Sequence, residues 1–280
     1  RSHYLDDRTW SFWRTEHDPF TDCVRARWSR WAVRAQGERV VRASTRLRYE
    51  TLSAAAFYER ALDMLARAPN VDLRLGTRVT AAPRPLSDGF AIDTDAGECR
   101  ARTVVGTRPA AGAPGFGQYF IGAEIEIDGP AFDDTTVELM DFAPARSDRI
   151  DFLYVLPFSA ERALIETTSF AARPPAAGDL EATLKEAVAR FAAGRACREL
   201  RRENGFIPMQ PQAAHLTAAT GHPGWVRAGV VGGAARPSTG YAFQRIQRAA
   251  DRLAAQLRSG DTPTAPALDG PLTRGMDALF

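Results

Sequence analysis

The chain has 280 residues, 45% of them hydrophobic and 25% charged, which is enough apolar content to bury one large core or two interleaved ones. Its 36 basic and 34 acidic residues nearly cancel, to a formal +2. Lys185 is the single lysine, so 35 of the basic residues are arginines, and they are spread along the chain instead of forming the stripe that holds nucleic acid.

No apolar run approaches the ~18 residues needed to span a bilayer. Cys23, Cys99 and Cys197 are odd in number, far apart and in no C-x-x-C pair, which fits a reducing compartment. His3, His17, His215 and His222 have neither H-E-x-x-H nor any other metal spacing, so no metal is expected. The opening stretch, Asp6-Asp7-Arg8-Thr9-Trp10-Ser11-Phe12-Trp13, lacks the basic start and apolar core of a signal peptide. With Arg1 in place of Met, it reads as the start of a fragment.

The first clear helix is expected over residues 53–68. Ser53 is placed to cap it, Phe57, Ala61, Met64 and Leu65 recur at helical spacing, and Pro69 ends it. Alternation over residues 71–75 predicts a short strand, followed by Thr77-Arg78-Val79 and a hairpin through residues 90–95 and 99–105, turned at Asp95-Ala96-Gly97. Gly112, Pro114, Gly115 and Gly117 then crowd together as a connection between subdomains. Four strand-like runs, residues 120–127, 135–140, 150–158 and 163–170, predict an antiparallel sheet suited to a substrate-facing layer. A helix over 179–193 follows, then the segment 201–208, a strand over 225–231, a Gly-rich turn and a final helix over 241–258. The Pro-rich tail after Thr262 is expected to be loosely ordered.

Two constellations carry chemistry. The turn from Gly229 through Gly232, Gly233, Pro237, Ser238, Thr239 and Gly240 to Tyr241 opens a helix whose first backbone N–H groups are unpaired and attract negative charge, such as the pyrimidine edge of a reduced flavin. The same residues also suit a tight left-handed turn with Ser238 or Thr239 as an ordinary N-cap, and spacing does not choose between the two. In the hairpin of residues 150–170, alternation puts Glu166 on the face of Leu164, Thr168 and Phe170. A carboxyl among apolar neighbours has a raised pKa and can serve as an acid, whereas an ordinary strand glutamate points at water.

Several segments resemble, in order, those of the FAD-dependent lycopene cyclases of carotenoid biosynthesis. These are Thr9-Trp10-Ser11-Phe12, Leu139-Met140-Asp141-Phe142, the strands from Phe152 to Ser159 and from Leu164 to Thr168, Arg202-Glu203-Asn204-Gly205-Phe206-Ile207-Pro208, and Arg236-Pro237-Ser238-Thr239-Gly240-Tyr241. The chain departs from the family in lacking a G-x-G-x-x-G pyrophosphate grip, which relatives carry ahead of the Trp-Ser-Phe motif. It also has Gly106 where the family usually has an aspartate before the Arg108-Pro109 pair, and Val230 after Gly229.

The resemblance implies an α/β, FAD/NAD(P)-binding two-dinucleotide-type flavoprotein fold with an antiparallel-sheet substrate domain and the first βαβ unit missing. The expected division is residues 1–110 as the remainder of the FAD-binding domain, 111–205 as the substrate domain, and 206–280 as the return to the FAD-binding domain with the C-terminal helix. The implied function is a lycopene beta-cyclase, an isomerase-type enzyme that protonates a linear end group of lycopene, closes a β-ionone ring and loses a proton, with no net redox change. Glu166 matches the family's acid, and Phe152, Tyr154, Phe158 and Tyr241 are candidate aromatic faces for the cation, with Asp141 as a second carboxyl to consider. Gly229, Pro237, Thr239, Gly240 and Tyr241 are the candidate cofactor contacts, for FAD in its reduced form with NAD(P)H as reductant. Lycopene or a related carotenoid would be drawn from a membrane surface, giving a peripheral protein on the cytoplasmic side. The competing readings are a flavin-dependent monooxygenase or reductase of the same fold and a non-catalytic remnant.

Overall fold

Aromatic and β-branched residues near the start of the chain pair as strands. The computed structural model describes residues 3–15, 18–108, 115–143, 146–176, 178–209, 221–265 and 268–277; His17, Pro109, Gly112, Pro114 and His215 lie outside them. Strands β1 (Thr9–Arg14), β2 (Val24–Trp28), β3 (Arg30–Ala35), β4 (Glu38–Ala43) and β5 (Arg48–Ser53) lead into helix α1 (Ala54–Ala66). As expected, Ser53 stands at its start: the Ala56 N–H donates to Ser53 Oγ at 3.4 Å, and the Ala55 N–H donates to Asp6 Oδ1 at 3.1 Å. These bonds satisfy donors that have no partner within the helix.

After α1 come β6 (Arg84–Leu86), β7 (Gly89–Thr94), β8 (Gly97–Ala101) and β9 (Val104–Gly106). The hairpin turned at 95–97 is present as β7 and β8. The strand expected over 71–75 is not: Val71, Leu73 and Leu75 are 41–45% exposed and no described strand pairs with them. Alternation supplies a face, but a strand also needs a neighbour for its backbone N–H and C=O groups.

Strands β10 (Gly117–Ile127), β11 (Thr136–Phe142), β12 (Arg149–Pro157) and β13 (Arg162–Ala171) fall on the four runs read from sequence. Helix α2 (Asp179–Ala192) follows, and then β14 (Cys197–Pro208), which absorbs the segment 201–208. The last elements are β15 (Trp225–Arg227), helix α3 (Phe243–Ser259) and helix α4 (Pro271–Asp277). Beyond Arg227 the expected strand gives way to a 3₁₀ turn, because Gly229 has a positive φ of 69°. The tail expected to be loose contains α4, which is anchored where Asp277 accepts hydrogen bonds from Arg236 and Ser238.

Two units divide the chain. One comprises Asp6–Phe57 and Ala113–Pro208, the other Arg1–Leu5, Tyr58–Gly112 and Met209–Phe280. Residues 6–57, grouped from sequence with the first segment, therefore cluster with the large sheet. That unit holds a seven-stranded sheet in the order β14-β10-β13-β12-β11-β3-β4 and a three-stranded sheet β1-β5-β2. Its pairings are antiparallel apart from β11 with β3. The other unit holds the antiparallel β6-β7-β8 sheet and the parallel pair β15-β9.

Period-two alternation gives the large sheet two different faces. Ala123, Ile125, Ile127, Leu153, Val155, Ala163 and Ile165 point to α2 and bury its Leu184, Ala187 and Ala192. The Thr167 hydroxyl also lies on this face and donates to the Leu180 carbonyl at 3.1 Å, tying the start of α2 to the sheet. The opposite face carries Leu164, Glu166 and Thr168, so a largely apolar core on one side leaves the other free for chemistry. Because Leu184 is 1% exposed at the centre of this core, Leu184→Ala is expected to cost about 2–5 kcal/mol. Urea unfolding would show this as a lower midpoint with an unchanged slope.

Candidate active site

Three strands bring two carboxyls to one place. Across β13, β10 and β14, Glu166 lies opposite Gly122, and Gly122 lies opposite Glu203. Neighbouring strands are ~4.8 Å apart, so Glu166 and Glu203 start from backbones ~10 Å apart, separated by a strand that would normally place a side chain between them. At Gly122 there is none. A Cβ there would sit 3.4 Å from both Glu166 Cβ and Glu203 Cγ, and 3.2 Å from Leu164 Cδ1. The two side chains fill the space over the glycine, which brings their carboxyls close enough to interact directly.

Glu203 reaches this face through a β-bulge. The pairing of β10 with β14 shifts between Glu124 and Ile125, leaving Leu200 as the extra residue between Glu199 and Arg201. A one-residue slip moves side chains to the other face, so Arg201 and Glu203 lie on the side of Gly122 and Glu124. There Glu203, 4% exposed, accepts a hydrogen bond at 2.5 Å from Arg201 and one at 2.9 Å from the Thr9 hydroxyl of β1. Arg201 also donates to Thr9 Oγ1 at 2.7 Å. Glu203 is thus ion-paired to Arg201 and hydrogen-bonded by Thr9.

Glu166 has no such partner. The Thr168 hydroxyl donates to its carboxyl at 2.9 Å. Burial of the carboxyl, and then the negative charge of Glu203, push its pKa up to about 8, against the smaller opposing effects of Thr168 and Arg201. The residue is only half-buried, so the acid is not sealed off. Directly across on β12 lies Tyr154, with Phe152 opposite Thr168. The Phe152 ring packs edge-on against Tyr154, Phe170 and Phe142, with centroids 5.0–5.6 Å apart.

Two residues along β10 from Gly122, Glu124 meets the opposite environment. Burial alone would raise its pKa, but Arg25 of β2 and Arg162 of β13 hydrogen-bond to it and bring it down to about 2. Arg201 adds a contact at 3.4 Å. One sheet face therefore holds a carboxylate that stays charged and a carboxyl that stays protonated.

The glycine-rich turn lies in the other unit. The Arg236 N–H donates to Tyr241 O at 3.1 Å and the Gly240 N–H to Arg236 O at 2.8 Å, closing a tight loop over residues 236–241. Gly240 has a φ of 72°. Neither Ser238 nor Thr239 caps the helix that follows. Ala242 is the N-cap, without a side-chain hydrogen bond, and Ser238 donates to Asp277 at 2.6 Å. Thr239 Oγ1 is buried with no hydrogen-bond partner among the described residues. The carbonyls of Gly233 and Ala234 accept from Arg245, which is ion-paired to Asp269.

Other expected contributors fall elsewhere. Phe158 is covered by the Arg25 guanidinium, 3.8 Å from the ring centroid, so its face is already occupied by a cation. Asp141 pairs with Arg34 at 3.6 Å and Arg190 of α2 at 3.3 Å, on the helix-covered side. Sequence reasoning gave no role to Thr9, Gly122, Arg201 or Glu203. Thr9 and Glu203 were nevertheless inside quoted motifs, and the structure shows why those motifs go together: Thr9-Trp10-Ser11-Phe12, the Glu166 strand and the Glu203 segment meet at one point. Among the described residues no group of His, Cys, Asp and Glu could hold a metal ion.

The sequence model of the lycopene cyclase protein family matches residues 2–280. A lycopene beta-cyclase from Paracoccus sp. is 34% identical over 140 residues, 49% of this chain and 35% of that protein. One from Pseudescherichia vulneris is 29% identical over 149 residues, 52% of this chain and 38% of that protein. The matched segments thus span well under half the length of these relatives. Among solved structures, a geranylgeranyl bacteriochlorophyll reductase-like protein from Thermoplasma acidophilum superposes with a TM-score of 0.65 at 12% identity, covering 96% of this chain and 71% of that one. A peptidyl tryptophan dihydroxylase reaches 0.51 at 17% identity, with 92% and 56% covered, and a flavin-dependent brominase 0.51 at 12%, with 90% and 68% covered. The fold is that of the FAD-dependent flavoproteins, α/β with mixed and antiparallel sheets.

The Glu124 cluster has a pH signature. Its folded pKa lies below the ordinary glutamate value of 4.5, so its stabilisation is fully present above about pH 4.5 and is lost as the pH falls towards about 2. The loss amounts to on the order of 3 kcal/mol. Thermal melts between pH 6 and pH 2 should show a steep fall in wild-type Tm below pH 4.5. Glu124→Gln should be less stable at pH 6 and show a flatter fall.

Proposed function

The chain belongs to the lycopene cyclase family, and from that premise we propose that it acts as a lycopene beta-cyclase, forming β-ionone ends by acid-initiated cyclisation without net redox change. The observation that carries this reading is a carboxyl, Glu166, that keeps its proton up to about pH 8 beside an aromatic wall. An ordinary glutamate would be almost wholly ionised at neutral pH and could not start the reaction.

In this mechanism Glu166 gives its proton to the terminal double bond of a linear lycopene end. The internal double bond then attacks the resulting cation and closes the ring, and a ring proton leaves to a carboxylate, so one proton enters and one departs. Tyr154 and Phe152, on the strand beside Glu166, would stabilise the cation by about 0.5–2 kcal/mol for each ring face presented to it. The remaining neighbours, Leu164 and Phe170, keep water from a cation that would otherwise be hydrated.

The glycine turn fits a ligand that brings its own hydrogen-bonding atoms, because Thr239 Oγ1 is buried and unpartnered and Gly240 leaves room for close approach. Gly229, Pro237, Thr239, Gly240 and Tyr241 would hold FAD there. When bound in its reduced form, kept so by NAD(P)H, the flavin supplies negative charge that favours a cationic transition state. In this reading the unit with the seven-stranded sheet is the substrate domain and the other is the FAD-binding part. Lycopene is insoluble in water, so the protein works at a membrane surface, on the cytoplasmic side. No described helix is long and apolar enough to cross a bilayer.

The test is expression in lycopene-accumulating cells, with and without Glu166→Gln. Wild type should convert lycopene to one-ringed and two-ringed products, and the variant should lose at least about a hundredfold in rate, the usual contribution of a positioned acid. Unchanged pigment with wild type, or full conversion with the variant, would sink the reading. The same substitution has a stability consequence of opposite sign. Because the folded pKa of Glu166 is raised, the native state is penalised as the pH rises from about 4.5 through about 8. Glu166→Gln should therefore have a higher Tm than wild type above pH 8, with the advantage shrinking towards pH 5.

A further inference from the structure

The reading of Glu166 as proton donor leaves open what keeps the proton on that residue when a second carboxyl shares the site. We infer that Glu203 is the positioning residue for the acid: ion-paired to Arg201 and hydrogen-bonded by Thr9, it reaches over Gly122 and keeps the proton on Glu166. This inference rests on the proposed role of Glu166.

The geometry makes the pair asymmetric. Glu203 takes both bonds from groups that stabilise a negative charge, Arg201 at 2.5 Å and Thr9 at 2.9 Å. Arg201 is itself held in place by Thr9 and by Glu124 on the neighbouring strand. Glu166 has only the neutral Thr168 hydroxyl and the Glu203 carboxyl. Two carboxyls in contact retain one proton between them, and it resides where a negative charge is least supported. Here that is Glu166. The remaining groups on this face do not alter the assignment. On β12 the residue facing Glu166 is Tyr154, a neutral phenol; on β10 the facing residue is Gly122, and Glu124 beyond it is engaged by Arg25 of β2 and Arg162 of β13. The position of Gly122 is part of the device, since any side chain there would stand between the two carboxyls.

After Glu166 has given up its proton, the pair carries two negative charges, with Arg201 as their nearest cation. This favours taking a proton back from the ring, so the pair ends each turnover with the one proton it began with. No oxidant or reductant takes part.

The experiment uses the protein expressed from its whole reading frame and reads the Glu166 carboxyl directly. The infrared C=O band of the protonated acid is assigned by its loss in Glu166→Gln and titrated in wild type and in Glu203→Gln, alongside the pH profile of cyclisation. In Glu203→Gln both the band and the alkaline limb of activity should move to lower pH by about one pH unit or more. Above the new limb, activity should fall about tenfold per pH unit. Glu203→Asp, which restores the charge, should return the limb towards wild type. If Glu203→Gln does not fold, Arg201→Met combined with Glu203→Gln removes the ion pair as a unit, a change that folded proteins often tolerate; a smaller downward movement is expected, because the opposing charge of Arg201 is lost with it. A band that titrates at the wild-type pH in a folded variant lacking the Glu203 charge would overturn the inference while leaving Glu166 as the acid. If no Glu166 band is found in wild type, the acid assignment itself falls.

Discussion

The Glu124 carboxylate accepts hydrogen bonds from guanidiniums on three different strands: Arg25 from the small sheet, Arg162 from the hairpin and Arg201 from the edge strand. A buried charge is tolerated only when it is paired and its lone pairs are satisfied, so the three strands must arrive in one register and at one separation. The same register fixes Glu166, Gly122 and Glu203 in a row. The arginine-rich composition thus has a structural use here, because the planar fork of arginine can serve two acceptors at once. Arg201 does so, touching Glu124 and Glu203.

The sheet face divides its carboxyls by their surroundings. Glu124 and Glu166 lie on adjacent strands, on the same face, the first buried and the second half-buried. Their pKa values are driven apart, to about 2 and about 8, because one is met by guanidiniums and the other by a hydroxyl and a second carboxylate. Such a separation is the usual mark of groups with different tasks. The first holds strands together and the second keeps a proton. A protonated carboxyl on an otherwise charge-paired face is costly to stability, and the site accepts that cost against an apolar core on the helix-covered side, where Leu184, Ile165 and Val155 pack without a polar group among them.

The turn in the other unit is organised by different means. The Gly233 and Ala234 carbonyls are tied down by the buried Arg245, Ser238 by Asp277, and Gly229, Gly233 and Gly240 take positive φ values. Within it the Thr239 hydroxyl is buried without a hydrogen-bond partner among the described residues. Gly232 could not be replaced without disturbing this arrangement, because a Cβ there would come within 2.6 Å of the Arg227 carbonyl oxygen. The loop is therefore shaped before any ligand arrives, which is how a site limits the ordering cost of binding.

The sequence by itself determined what depends on local periodicity and turn chemistry. The Ser53 cap, the hairpin turned at Asp95-Ala96-Gly97, the four runs that became β10 to β13, and the placement of Glu166 beside Leu164 and Thr168 all follow from residues close together in the chain. Local pattern misjudged residues 71–75, where alternation exists without a described partner strand, and the tail, where α4 is held by Arg236 and Ser238 from more than thirty residues away. The second half of the site was decided by tertiary structure alone. Counting by twos along 197–208 from Glu199 puts Glu203 on the α2 side of the sheet and Arg202 opposite Gly122; the extra residue at Leu200 reverses both. That reversal depends on how two strands distant in sequence settle against each other, and it is what brings a second carboxylate over Gly122 to the acid.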